Sequence, residues 1–99
     1  MLLETAFVCL AMNVYHEARN QSFIGQVAVA QVVMNRVHDT RFPDDVCEVV
    51  TQGQTYSWKP DVPIRNRCHF SWYCDGKSDK PRDAEAWEQA KLVASGVLF

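Results

Sequence analysis

The sequence predicts a mainly α domain of the α+β class, and three observations carry that expectation. Apolar residues recur at helical spacing near the start, again before residue 40 and again at the end. One segment, 54–77, breaks the pattern with two prolines and many aromatics, as a loop or short hairpin does. The 99 residues suffice for one domain with a real core and little surplus stability.

The elements follow in order. Residues 3–18 (LETAFVCLAMNVYHEA) set Leu3, Phe7, Leu10 and Val14 on one helical stripe, at i, i+4, i+7 and i+11. Ser22 reads as the N-cap of a second helix that runs to Val37 through GQVAVAQVVMNRV. Its valines would also suit a strand, but its length and the i, i+4 pair Gln31 and Asn35 favour helix. Apolar residues occupy most of its circumference, which predicts a central helix covered on several sides. A loop with Arg41, Phe42 and Pro43 leads to a short third helix, expected to be capped by Asp44 and ended by Gly53. The last helix starts between Pro81 and Asp83, with Ala84, Trp87, Ala90, Ala94 and Val97 inward and Phe99 at its end.

Composition excludes more than it assigns. Hydrophobic content of 47% and charged content of 22% are ordinary for a globular protein. A net charge of −2 makes no electrostatic case for nucleic acid or an anionic membrane. No stretch approaches the roughly 20 apolar residues of a membrane span. The opening apolar stretch follows Glu4 rather than lysines and lacks a cleavage site, so no secretion signal is expected.

Cys9, Cys47, Cys68 and Cys74 allow three full pairings, and disulfides, buried thiols and metal ligands all stay open. A Cys68–Cys74 bridge would close a short loop around HFSWY, worth about 2 kcal/mol by loop-closure entropy. Zinc would have to recruit Cys68, His69 and Cys74 with His16 or His38. Adjacent Cys68 and His69 serve one ion poorly, and the chain has no CxxC pair. No metal or cofactor is therefore expected.

Glu17 is the residue of greatest interest. It continues the Leu3–Phe7–Leu10–Val14 stripe, while His16 and Arg19 project to the far side. A carboxylate between apolar walls at a helix C-terminus has its charged form disfavoured and can serve as a general acid. The bland alternative is a helix that ends one turn early and leaves Glu17 in a solvated loop. Downstream, Cys68-His69-Phe70-Ser71-Trp72-Tyr73-Cys74 offers flat rings and polar tips, which suit pyranose faces and edges. Phe70 and Trp72, two apart, would share the buried face of a strand, and Ser71 and Tyr73 would line a cleft. Tyr56 and Trp58 repeat the spacing and are expected as an opposing wall. Asp75-Gly76 reads as a turn.

These residues carry a family likeness. CLAMNVYHEARNQSFIGQVAVAQVVMNRVHDTRFPDDVCEVV followed by RCHFSWYCDGKSD strongly resembles the SleB/CwlJ-type cell-wall hydrolases, peptidoglycan-cleaving enzymes of spore germination and of phage or prophage lysis modules. The likeness runs over about residues 9–98. It implies one lysozyme-like domain over residues 1–99, C-terminally short because many members continue with a Thr-His-Tyr-type segment. It also implies that Glu17 is the acid of a muramidase or lytic transglycosylase that cuts between N-acetylmuramic acid and N-acetylglucosamine. Members often carry glutamine where this chain has His69. The substrate contacts expected are Tyr15, His69, Phe70, Ser71, Trp72 and Tyr73, with Asn35 and Arg36 bracing loops. The partner is the peptidoglycan glycan strand, met by a monomer made in the cytoplasm and acting at the wall after release or export. Two rivals stand beside this: an N-acetylmuramoyl-L-alanine amidase, using zinc or Cys68 or Cys74 with His16 or His38, and an inactive peptidoglycan-binding remnant.

Overall fold

The computed structural model describes residues 5–99. These form α1 (Ala6–Ala18), α2 (Phe23–Val37), α3 (Val46–Val50), β1 (Gly53–Tyr56), β2 (Lys59–Cys68), a 3-10 turn (Ser71–Cys74) and α4 (Ala84–Leu98). The architecture is the mainly α, α+β domain that the sequence predicts, consistent with a lysozyme-like one.

Each helix starts where a short polar side chain accepts a backbone N–H that has no partner inside the helix. Thr5 accepts from Val8, Ser22 from Gly25, Asp45 from Glu48 and Asp83 from Ala86. The cap of α3 is thus Asp45, one residue after the expected Asp44. Gly53 does not end α3, which closes at Thr51. Gly53 instead opens β1 opposite Cys68, where the strands run so close that a Cβ would lie 2.7 Å from Cys68 Cα. Only glycine fits there.

The centre of the domain is α1, not α2. Every residue from Cys9 to Tyr15 is buried, and α2, α3 and α4 all pack against that helix. Small Cys9 and Ala11 flank the Leu10–Val14 stripe and let neighbours approach from more than one side. On α2 only Gln26, Ala30 and Val33 are buried, while Ile24 is 79% exposed. Apolar circumference alone misplaces α2, because it says nothing about which sides acquire neighbours. On α4, Ala90, Val93 and Ala94 are buried and Trp87 and Val97 half-buried, whereas Ala84 is exposed at the first turn.

All four cysteines are paired, Cys9 with Cys47 and Cys68 with Cys74, so neither free thiols nor thiolate ligands remain. The first bridge fastens α1 to α3 across 38 residues and the second closes a loop of 6. Chain entropy puts these at about 4 and about 2 kcal/mol. The second bridge also explains a departure from expectation. Phe70 and Trp72 are both buried, but no strand carries them. Six residues of strand would span about 20 Å, and the bridge holds the Cys68 and Cys74 Cα atoms 6.1 Å apart. The segment therefore winds into the 3-10 turn.

Candidate functional site

Glu17 lies in the last turn of α1. Leu10 and Val14 on its stripe are fully buried and Phe7 is half-buried, while Leu3 falls outside the described residues. Glu17 itself is exposed. The expected notch between apolar walls is absent, because the packing over Leu10 and Val14 stops short of the last turn. The expected direction of its acidity nevertheless holds. Protein around the carboxyl displaces enough water to raise its pKa above the ordinary carboxylate value, and the opposing pull of His16 is the smaller effect. Its open side keeps it from behaving as a fully buried acid.

His16 does not project to the far side. It is half-buried and stacks on Trp72 at 4.8 Å with 14° between the rings, and Tyr15 meets it edge-on at 4.9 Å. Its Nε2 lies 2.8 Å from the carbonyl oxygen of Asp79. A carbonyl only accepts, so Nε2 carries a proton and donates it to that oxygen.

Three expected sugar contacts are framework instead. Trp72 is 5% exposed, and its Nε1–H donates to Asn13 Oδ1 at 2.8 Å, while Asn13 Nδ2 is buried without a partner. Tyr15 is 1% exposed. Its hydroxyl accepts from Arg19 Nη1 at 2.8 Å and from the Asp83 N–H at 3.0 Å, tying the end of α1 to the cap of α4. Phe70 is buried under Arg36, whose guanidinium is held between the Phe70 and Phe42 rings at 5.1 and 5.2 Å. Arg36 braces the loops as expected; Asn35 is exposed.

His69 and Ser71 face solvent, and Tyr73 is half-buried with its ring edge-on to Trp72 at 5.9 Å. His16, Trp72 and Tyr73 thus pack in series, joining the end of α1 that bears Glu17 to the loop closed by the Cys68–Cys74 bridge. Among the described residues no hydrogen bond joins His69 or Ser71 to Glu17. Asp75 is the turn former expected, its Oδ1 accepting from the Lys77 N–H at 2.9 Å with Gly76 at φ 79°.

Tyr56 and Trp58, expected as an opposing wall, stand together on the hairpin. They pack on each other at 5.2 Å at the hairpin tip, beyond the far end of β2 from Cys68. Gly53 pairs with Cys68 and Tyr56 lies three residues further along β1, so at about 3.3 Å per residue Tyr56 stands roughly 10 Å along the ribbon from the bridged segment.

Asp79 is the residue that sequence reasoning missed. It is half-buried, and burial raises its carboxyl above the ordinary value, with His16 lowering it and Asp75 raising it. Two carboxyls therefore flank one imidazole. In the sequence Asp79 sits in KSDK and reads as a solvated loop; only its nearness to the bridged Cys74 hints otherwise. A separate cleft of about 360 Å³ is lined by His38, Asp39, Phe42, Pro43 and Asp44 among others, and Glu17 takes no part in it. Arg41 there holds the Asp39 carboxyl at about 2 through a paired hydrogen bond.

Comparison with known proteins bears on this arrangement. The family profile described as Cell Wall Hydrolase matches residues 20–98, beginning three positions after Glu17. Over 55 residues, 56% of this chain, it is 49% identical to a spore cortex-lytic enzyme of Halalkalibacterium halodurans, covering 17% of that protein. Proteins of the same name match over equal lengths at 46% identity in Bacillus subtilis and 42% in Oceanobacillus iheyensis, covering 18% and 20% of them. The chain thus spans about a fifth of the length of these curated relatives. No solved structure matches it.

Proposed function

Because this chain belongs to the cell wall hydrolase family, we propose that it cuts the glycan strand of peptidoglycan between N-acetylmuramic acid and N-acetylglucosamine, with Glu17 as the acid. The observation that carries this reading is a carboxyl of raised pKa on an open helix end, next to a disulfide-closed segment presenting His69, Ser71 and Tyr73. An exposed acid suits a substrate that is a polymer and cannot enter a closed cavity.

The protonated Glu17 gives its proton to the glycosidic oxygen as the bond to muramic C1 breaks. The oxocarbenium-like centre is then attacked by the same sugar's C6 hydroxyl, whose proton passes to the Glu17 carboxylate. An anhydro ring forms and Glu17 ends as it began. One carboxyl suffices, as in a lytic transglycosylase; His69, Ser71 and Tyr73 orient the sugar. The paired cysteines fit action at the wall, outside a reducing cytosol.

Asp79 favours a second reading. Ordinary glycoside hydrolysis needs a second carboxylate to act on water or as nucleophile, and Asp79 is a half-buried carboxyl that feels the charge of His16, as Glu17 does. Mass spectrometry of digested sacculi separates the two. Anhydro-muropeptides, unaffected by Asp79→Asn, support the transglycosylase. Reducing-end muramic acid that disappears in Asp79→Asn supports hydrolysis. Free stem peptides would point to an amidase, although its Cys–His version finds no free thiol.

A further inference from the structure

The hairpin ends in the pair Tyr56 and Trp58, with Trp58 70% exposed. A tryptophan face left this open on a strand tip does nothing for the core. It is also not part of a broad apolar surface, because Gln54, Thr55 and Asp61 beside it are polar and exposed. Lys59 Nζ lies 5.5 Å from the Trp58 ring centroid, and Arg65 and Arg67 follow along β2, exposed. The hairpin therefore carries three cationic side chains against one carboxylate, Asp61, in a chain whose net charge is −2. Cationic groups beside flat aromatic faces match a glycan that bears carboxylates: rings for the sugar faces, cations for the acidic substituents. β2 ends at Cys68, so the same ribbon runs from the tip to the bridged segment beside Glu17.

We propose that the hairpin is a second glycan-docking platform, on which Trp58 and Tyr56 stack a sugar of an anionic peptidoglycan strand while Lys59 at the tip and Arg67 further along β2 meet its carboxylates. The proposal rests on the reading that peptidoglycan is the substrate, but it concerns binding by the hairpin rather than cleavage by the acid. It gives an enzyme with an open, shallow site a way to stay on an insoluble polymer between cuts.

The test uses Glu17→Gln as the parent, so that binding is read without cleavage, and adds Trp58→Ala or Tyr56→Ser. Cosedimentation with purified sacculi is expected to weaken by roughly tenfold for Trp58→Ala, the loss of one stacked face worth about 1.4 kcal/mol. Melting is expected to stay unchanged, since the tip is exposed. With Glu17 restored, Trp58→Ala is expected to slow clearance of whole sacculi while cleavage of short soluble glycans keeps its rate. Sacculus binding that ignores both tip substitutions overturns the proposal. So does tip-dependent binding to phosphatidylglycerol vesicles without tip-dependent binding to sacculi, which would make the hairpin a membrane contact. If Glu17→Gln lyses sacculi as well as the unsubstituted protein does, the catalytic reading fails, yet the binding comparison still decides this one.

Discussion

The middle of α1 and its last turn share one helix and little else. From Cys9 to Tyr15 every side chain is buried; from His16 to Arg19 Ala18 alone is. The middle is where the domain holds together, fastened to α3 by Cys9–Cys47 and to the aromatic segment by Asn13–Trp72. The last turn is where a carboxyl, an imidazole and an arginine meet solvent. Rigidity in the first region is what allows openness in the second. A terminal acid on a helix packed on all sides has a fixed position without needing walls of its own, and a polymer can reach it.

If that division is real, the largest effect belongs to Glu17→Gln. The amide cannot supply an acidic proton, so lysis should fall by about 10²–10⁴-fold, the usual worth of a general acid, measured as turbidity loss of sacculi. Stability should not fall with it. Burial raises the Glu17 pKa in the fold, so its favourable contribution exists only below the ordinary carboxylate pKa and is lost as pH rises through the folded value. At neutral pH the amide removes a desolvation cost, and the variant should melt no lower than the parent. A marked drop in melting temperature would break the comparison by making Glu17 part of the framework.

Leu10→Ala makes the opposite demand. Leu10 is fully buried, and truncation should cost about 2–5 kcal/mol in denaturant unfolding, with activity per folded molecule kept. Breaking Cys9–Cys47 by a serine pair belongs to the same class, at about 4 kcal/mol. Trp72→Phe is a smaller test that touches both regions. It leaves Asn13 Oδ1 buried without its donor, at about 1–3 kcal/mol, and removes part of the surface on which His16 and Tyr73 rest. Stability and activity should then decline together.

How far these regions could be read beforehand differs for physical reasons. Helix positions were legible because periodicity and capping chemistry are local, as at Ser22 and Asp83. The hairpin was legible only as an irregular aromatic stretch. Which helix lies central was not, since α2 is apolar all round but neighboured on one side. Glu17 stood out from its stripe, yet its exposure depends on where other elements stop, which no single helix records. Trp72, Tyr15 and Phe70 looked like sugar contacts because an aromatic ring reads alike in a core and on a cleft; the difference lies in partners such as Asn13 and Asp83, 59 and 68 residues away. Asp79 was invisible for the same reason, since the burial that raises its carboxyl and its link to His16 both arise from packing across a gap of 63 residues.

The smallest expected effect is the most discriminating for the last turn. His16 is held by Trp72 and by the Asp79 carbonyl, and its charge opposes the burial that raises both Glu17 and Asp79. The groups facing it are therefore Glu17 on its own helix, Asp79 with Asp75 behind it, and the Tyr15 ring. His16→Gln keeps a donor for the carbonyl and removes the positive charge. Glu17 works as an acid only while protonated, so activity falls as pH rises through its pKa. Without the imidazolium that pKa climbs further, and the alkaline limb of the pH–rate profile should move upward while the maximal rate changes little. Asp79 would climb with it, so the profile should be repeated in Asp79→Asn, where a limb set by Glu17 alone still moves. A limb that stays in place in both backgrounds means that the imidazole only props the loop, and that the last turn is framework after all.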